Sequence, residues 1–184
     1  MDKGKLQQFN RREFLKTGIG LSAGLFMPEA FALPTRLPER TLSFYNTHTG
    51  EKCTATYWAD GHYVTDEIRK IEWILRDHRE GKTHNMDQNL MDLLVVLRHQ
   101  IDSRRPFHII SGYRTPRTNE MLYRTTSGVD KHSYHMQGRA IDIRLPGFDT
   151  RKLRQAARSL KAGGVGYYPH SNFIHIDTGR VRFW

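Results

Sequence analysis

The chain is poor in cysteine and in acidic residues relative to basic ones. Cys53 is the single cysteine among 184 residues, which excludes an intramolecular disulfide and a cysteine-rich zinc site. Lysine and arginine number 29 against 19 acidic residues, so the formal net charge is +10. A basic excess suits an anionic polymer as partner. The sequence has no recognisable nucleic-acid motif or concentrated arginine stripe, so we expect no nucleic-acid partner.

Long apolar runs are also scarce, and the mildly apolar stretch at 17–27 is too short to span a bilayer stably. It follows a twin-arginine pair, Arg11 and Arg12, and precedes Ala30–Ala32, which has the A-x-A form of a cleavage site. This order predicts an export signal of the twin-arginine type and no stable membrane anchor. We therefore expect a periplasmic protein.

These features predict a signal peptide over 1–32 and one domain over 33–184. Cleavage after Ala32 removes five Lys/Arg and three Asp/Glu, so the formal net charge falls from +10 to +8. The remaining length suits a single domain with a sizeable core. We expect this domain to be a monomer.

Hydrophobic periodicity predicts short strands and several helices. Strands are predicted, from alternating or β-rich residues, over 41–46, 52–58, 106–110, 139–145, 165–168 and 173–177. Helices are predicted to begin at Thr65, Asp87, Thr115 and Asp149, the first of them ending at Gly81. The pattern predicts an α+β domain in which a small antiparallel sheet carries a functional site and packs against several helices.

Two short segments supply a set of candidate metal ligands. His135 and Asp142 lie seven positions apart in the run 133–142, and His175 lies in the strand 173–177. Alternation places Asp142 and His175 on one face of their strands, and Gly138 allows the backbone to turn so that His135 can approach them. Two imidazoles and a carboxylate are typical of a zinc site that keeps a fourth position open. We predict one zinc ion there.

The arrangement S-x-H-x-x-G-x-A-x-D, followed by a late H-x-D, resembles the zinc D-alanyl-D-alanine metallopeptidases of bacterial cell walls, and within them the murein endopeptidase K type. The resemblance extends to the segment T-L-x-F-Y-N-x-H-T-G-E and the run G-G-V-G-Y-Y-P. It implies a peptidase acting on peptide cross-links of peptidoglycan, with bonds between two diaminopimelate residues as one candidate.

Arg114 follows a predicted strand in the turn Ser111–Arg114. In the resembling family the matching arginine contacts substrate and stabilises charge on the attacked carbonyl. A guanidinium aimed at a developing oxyanion has its largest effect in a dry cleft. The resemblance therefore makes Arg114 a catalytic and substrate-binding candidate.

Asp177 is the acid nearest to the expected ligands on the same face of its strand. It is the candidate general base, with a second possibility that it orients a zinc histidine instead. Related dipeptidases have glutamate where this chain has Asn172, and some murein endopeptidases have histidine where it has Phe173. The identity of the base is therefore open between these readings.

Further polar residues flank the expected cleft. Ser133, Tyr168 and His170 are candidates for substrate binding, and His132 is either catalytic or a solvated loop residue. A serine nucleophile is excluded because no nucleophile-elbow motif is present. We predict a zinc-dependent murein endopeptidase, with a non-catalytic zinc-containing peptidoglycan-binding domain and a D-alanyl carboxypeptidase as alternatives.

Overall fold

A computed structural model describes residues 39–184, so the predicted signal over 1–32 lies outside the described residues. The strands formed within that range are β1 (Glu39–Asn46), β2 (Lys52–Ala59), β3 (His62–Tyr63), β4 (Phe107–Ser111), β5 (Ala140–Arg144), β6 (Gly164–Tyr168), β7 (Phe173–Asp177) and β8 (Arg182–Phe183). The α-helices are α1 (Thr65–Ile74), α2 (Gln88–Gln100), α3 (Pro116–Thr125) and α4 (Thr150–Ser159), and a 3-10 helix spans Tyr134–Gln137.

The strands form one sheet in the order β3-β2-β1-β4-β5-β7-β6-β8. The α+β class is confirmed. The sheet has eight strands, and it is mixed instead of purely antiparallel as expected. β1 pairs with β4 in parallel, and so does β6 with β8. In the first of these pairs, β2, β3, α1 and α2 lie between the two strands in the sequence, which supplies the long connection that parallel pairing needs.

Three of the four helices begin where their capping residues predict. The carboxylates of Asp87 and Asp149 each accept a hydrogen bond from the backbone N–H two residues later, at 2.9 and 2.7 Å. The Thr115 hydroxyl accepts from the Thr118 N–H at 3.1 Å, and Pro116 is the first residue of α3. Each cap satisfies one of the backbone donors that a helix N-terminus leaves free.

The prediction for α1 is wrong at both ends. Its N-cap is Val64, Thr65 is the first helical residue, and the helix stops at Ile74 instead of continuing to Gly81. Tertiary partners take the carbonyl groups at that end: the Asn46 side chain donates to Ile74 O, and a backbone N–H from the loop after β4 donates to Leu75 O. Those contacts replace the next helical hydrogen bonds.

The core lies against one face of the sheet. Ile141 and Ile143 of β5 and Ile174 and Ile176 of β7 are at most 1% exposed and belong to the main hydrophobic cluster. Because side chains alternate along a strand, the other face of these strands must carry Asp142 and His175. Within residues 39–184, no helix combines the length and apolar character needed to cross a membrane.

Candidate metal centre

β5 and β7 are neighbours, and their register sets Asp142 directly opposite His175. The side chains meet on the face away from the isoleucines, with Asp142 Oδ1 2.9 Å from His175 Nδ1. One cross-strand pair therefore supplies two of the three predicted ligands. A register slip of β7 by one residue would send His175 to the core face and leave Asp142 without its partner.

His135 reaches the same point from the 3-10 helix. Its Nε2 lies 3.2 Å from His175 Nδ1 and 3.3 Å from Asp142 Oδ1. Gly138 ends the 3-10 helix in the left-handed conformation, with φ +66°. A Cβ at Gly138 would collide with the carbonyl oxygen of Asn85, so this close approach of two backbone segments requires glycine.

Hydrogen bonds on the far side of each ring define which nitrogen faces the centre. His135 Nδ1 lies 2.7 Å from the Gly112 carbonyl, and His175 Nε2 lies 2.9 Å from Asp177 Oδ2. Both partners are acceptors, so these nitrogens carry the hydrogen in the neutral rings. The lone pairs of His135 Nε2 and His175 Nδ1 then point at each other and at Asp142 Oδ1.

Three acceptor atoms around one point favour a cation. Burial alone would lower the pKa of His175, but the carboxylates of Asp142 and Asp177 outweigh that cost and raise the pKa to about 9, so a positive charge is favoured between Nδ1 and Asp142, as a proton or as a metal ion. Burial likewise lowers the pKa of His135. Burial would raise the pKa of Asp142, yet the two histidines hold it far below its usual range. Two imidazole nitrogens and a carboxylate oxygen fit a zinc ion.

Asp177 lies behind His175 and does not reach the cleft, so the expectation that it faces the cleft is wrong. The side chain is fully buried. Arg182 donates two hydrogen bonds to it, at 2.7 and 3.0 Å, and the Gly179 N–H donates a third at 2.8 Å. Burial would raise the pKa of Asp177, but these donors and His175 lower it well below its usual range.

A cavity of about 810 Å³ opens in front of the three converging side chains. All four residues predicted to bind substrate contribute to its lining: Arg114, Ser133, Tyr168 and His170. Asp130, from the loop before the 3-10 helix, lines it as well. Among residues 39–184, neither Asp177 nor His132 belongs to that lining. The structure therefore brings the predicted substrate groups together and leaves these two outside.

Arg114 is almost completely buried at the wall of this cavity, with 8% of its surface exposed. One N–H donates to Ser133 Oγ at 3.0 Å, while Nε has no hydrogen-bond partner within residues 39–184. Burial is the main cause that lowers the pKa of Arg114. A buried guanidinium is costly unless acceptors satisfy it. Because Arg114 lines the cavity, the cavity suits a ligand that offers an oxygen.

Two residues of the site, Arg182 and Trp184, are not predicted from the sequence. Arg182 holds Asp177, and Trp184 lines the cavity beside His175, with ring centroids 5.4 Å apart. β8 is only two residues long, too short for periodicity to reveal. The only signal in the sequence was that Arg182 and Trp184 lie two residues apart, which is the spacing of side chains on one face of a strand.

Comparison with known proteins places the chain in a family. A family model described as peptidoglycan L,D-endopeptidase MepK matches residues 35–184. The peptidoglycan L,D-endopeptidase MepK of Escherichia coli K12 is 41% identical over 176 residues, which is 95% of this chain and 97% of that protein. The probable peptidoglycan L,D-endopeptidase MepK of Haemophilus influenzae is 37% identical over 177 residues, 95% of each chain. The resemblance seen in the sequence is thus confirmed, and the chain belongs to the MepK family of zinc metallopeptidases.

Proposed function

We propose that the protein is a zinc-dependent endopeptidase that hydrolyses peptide cross-links in peptidoglycan. Family membership supports the reaction class, since the relatives are named peptidoglycan L,D-endopeptidases. The observation that carries the proposal is the convergence of His135 Nε2, Asp142 Oδ1 and His175 Nδ1 within 3.3 Å of one another. This convergence lies at the wall of a cavity large enough for a peptide segment.

His135, Asp142 and His175 would hold one zinc ion. The chemistry that zinc supplies in such a site is Lewis-acid activation of water and of the scissile carbonyl. The far-side hydrogen bonds of His135 to Gly112 and of His175 to Asp177 keep both rings in the tautomer that a metal needs. The protein thereby prepares the ligand set before any ion arrives.

Arg114 would bind the substrate carbonyl and stabilise the charge that develops on its oxygen. Its guanidinium is buried at the wall of the cavity, where a substrate oxygen can accept a hydrogen bond from it. Ser133 fixes one end of the group through the bond at 3.0 Å. Such preorganised donors act most strongly in a site that excludes water.

We assign to Asp177 the role of orienting His175, because its carboxylate is fully buried and bonded to that ring. A group that accepts the proton from the attacking water must instead face the cavity. Asp130 and His170 do so. These two residues are the candidates for the base.

The test is to incubate the purified protein with intact peptidoglycan, with and without a chelator, and to identify the fragments by mass spectrometry. Chelator-sensitive release of separated peptide stems from cross-linked material is the expected result. Release of free D-alanine alone would favour the carboxypeptidase alternative. Binding to the polymer without any cleavage would favour the non-catalytic alternative.

We further propose that the protein reaches the periplasm by the twin-arginine route and works as a monomer there. The ordered signal features at 10–32 support the route, and a peptidoglycan substrate lies outside the cytoplasm. Replacing Arg11 and Arg12 together with lysine should keep the protein in the cytoplasmic fraction. Normal export of the double variant would indicate another route.

A further inference from the structure

Three aromatic side chains form a continuous surface along one side of the cavity, which we call the aromatic wall: Tyr168, Phe173 and Trp184. Tyr168 and Phe173 are stacked, with ring centroids 4.6 Å apart and planes 15° apart. Trp184 Nε1 donates to the Tyr168 hydroxyl at 3.1 Å. The indole nitrogen of Trp184 and the hydroxyl of Tyr168 are thus paired with each other. The rest of the aromatic wall is apolar ring surface.

Trp184 is held at the end of the wall that adjoins the candidate metal centre. Its ring lies 5.4 Å from that of His175. Its backbone pairs with β6 on both sides, through Trp184 N to Val165 O and Tyr167 N to Trp184 O. A residue fixed in this way loses little conformational freedom when a ligand packs against it.

Gly166 makes the position of the indole possible. Gly166 is paired with His175 across β6 and β7, so a side chain at Gly166 would project toward the cavity face. A Cβ there would lie 2.6 to 2.8 Å from three atoms of the Trp184 ring. The indole therefore occupies the space that any other residue at 166 would fill.

Exposing the aromatic wall to water is unfavourable in free energy unless a ligand covers it. Trp184 remains 46% exposed, although it lies in a cavity and three hydrogen bonds hold it in place. Folding alone gives no reason to keep a large aromatic surface open beside the site. Arg114 and His170 line the same cavity, so a fitting ligand combines a carbonyl or carboxylate oxygen with an aliphatic segment.

We propose that Trp184 is a substrate-positioning residue whose indole packs against the methyl or methylene groups of the amino acid next to the cleaved bond. This inference rests on the proposed function and names a specificity contact for it. The aliphatic segment lies on the aromatic wall while the adjacent carbonyl reaches Arg114. The wall thus fixes which atom of the peptide chain faces His135, Asp142 and His175.

Steady-state kinetics on a soluble cross-linked muropeptide test the inference. Trp184→Ala should raise KM roughly 4- to 15-fold, as expected when one or two methylene groups lose their apolar contact. Zinc content should equal that of the wild type, and Trp184→Phe should recover much of the loss. Trp73→Ala is the matched control, because Trp73 is 53% exposed and lies outside this cavity.

Gly166→Ala separates the position of the indole from its presence. The added methyl group should displace Trp184 and raise KM although every aromatic residue remains. In the double variant with Trp184→Ala the glycine substitution should add little, because the two changes act through the same contact. Fully additive effects would show that Gly166 acts elsewhere and would overturn the argument.

A binding measurement distinguishes failure of this inference from failure of the proposed function. With Trp58 and Trp73 replaced by phenylalanine, Trp184 is the single tryptophan, and muropeptide should change its fluorescence. Normal cleavage by Trp184→Ala with an unchanged KM would overturn the inference alone. An absent fluorescence response would also overturn it. A response in the single-tryptophan variant, together with a wild-type protein that cleaves nothing, would overturn the proposed function and support the contact between Trp184 and the ligand.

Discussion

Asp177 lies two residues beyond His175 on the same strand and accepts its Nε2 hydrogen at 2.9 Å. The carboxylate is held from its other side by Arg182. The acid therefore supports the ring from behind, and its own oxygens have no exposed surface. Carboxylates in this position orient ligand histidines and raise their basicity.

Asp177→Asn tests that role. The variant keeps the size of the side chain and loses the charge, so zinc affinity should fall by about 10- to 100-fold. A titration of activity against added zinc measures this, and excess zinc should restore most of the turnover. Activity that stays low at saturating zinc would instead make Asp177 the proton acceptor.

His135→Ala, Asp142→Ala and His175→Ala should each remove tightly bound zinc and abolish hydrolysis. Each variant takes away one of the three donor atoms that meet at a single point. Metal analysis of the purified proteins gives the answer. His132→Ala, on an exposed loop outside the cavity, is the control and should keep its zinc. Full occupancy in any of the three would remove that residue from the ligand set.

Arg114→Ala should retain zinc but lower kcat by roughly 100- to 1,000-fold, the usual cost of losing one preorganised donor to an oxyanion. Parallel kinetics and metal analysis are needed to separate the two effects. Arg117→Ala is the control, since that side chain is 89% exposed. Unchanged kinetics in Arg114→Ala would assign the residue a purely structural role.

His78 should make the fold sensitive to acid. Its ring stacks on His48 at 3.9 Å, and burial, His48 and Arg79 together lower the pKa of His78 to about 4. The unfolded chain binds the proton on His78 more readily than the folded protein does. The folded state is therefore at full stability with respect to His78 above pH 6.5 and loses stability as the pH falls toward 4.

Urea unfolding in the presence of chelator measures the contribution of His78. His78→Gln should lose less stability than the wild type between pH 6.5 and pH 4. The exposed His62→Gln is the matched control and should behave as the wild type does. An identical pH dependence in His78→Gln and the wild type would contradict the prediction.

Gly138→Ala should destabilise the fold by about 3 kcal/mol or more, because a positive φ and a collision with Asn85 O act together. Gly81→Ala is closely matched, with φ +67° and no atom within 4 Å of the added Cβ. It should cost only about 1 kcal/mol. Equal losses in chemical denaturation would show that the close approach at Gly138 is unimportant.

Local signals in the sequence were sufficient for most elements. All six predicted strands are present in the structure, and the caps at Asp87, Thr115 and Asp149 begin the helices expected of them. These features depend on alternation and on bonds within a few residues. The convergence of His135, Asp142 and His175 also followed from period-two alternation and one glycine turn.

Features that depend on distant partners were not predictable in this way. The end of α1 is fixed by Asn46 and by the loop after β4, neither of which is near in sequence. The burial of Asp177 depends on Arg182 from a two-residue strand. Alternation correctly placed Asp177 on the face of His175, but it could not reveal that another strand covers it.

The arrangement of β8 has a consequence for the order in which the protein matures. During synthesis, His135 and Asp142 leave the ribosome before His175, and Arg182 follows His175. β8 must then add to the edge of β6 before Asp177 is held in place. A chain that has not yet formed β8 should therefore hold metal weakly, because the carboxylate that orients His175 still lacks its partner Arg182.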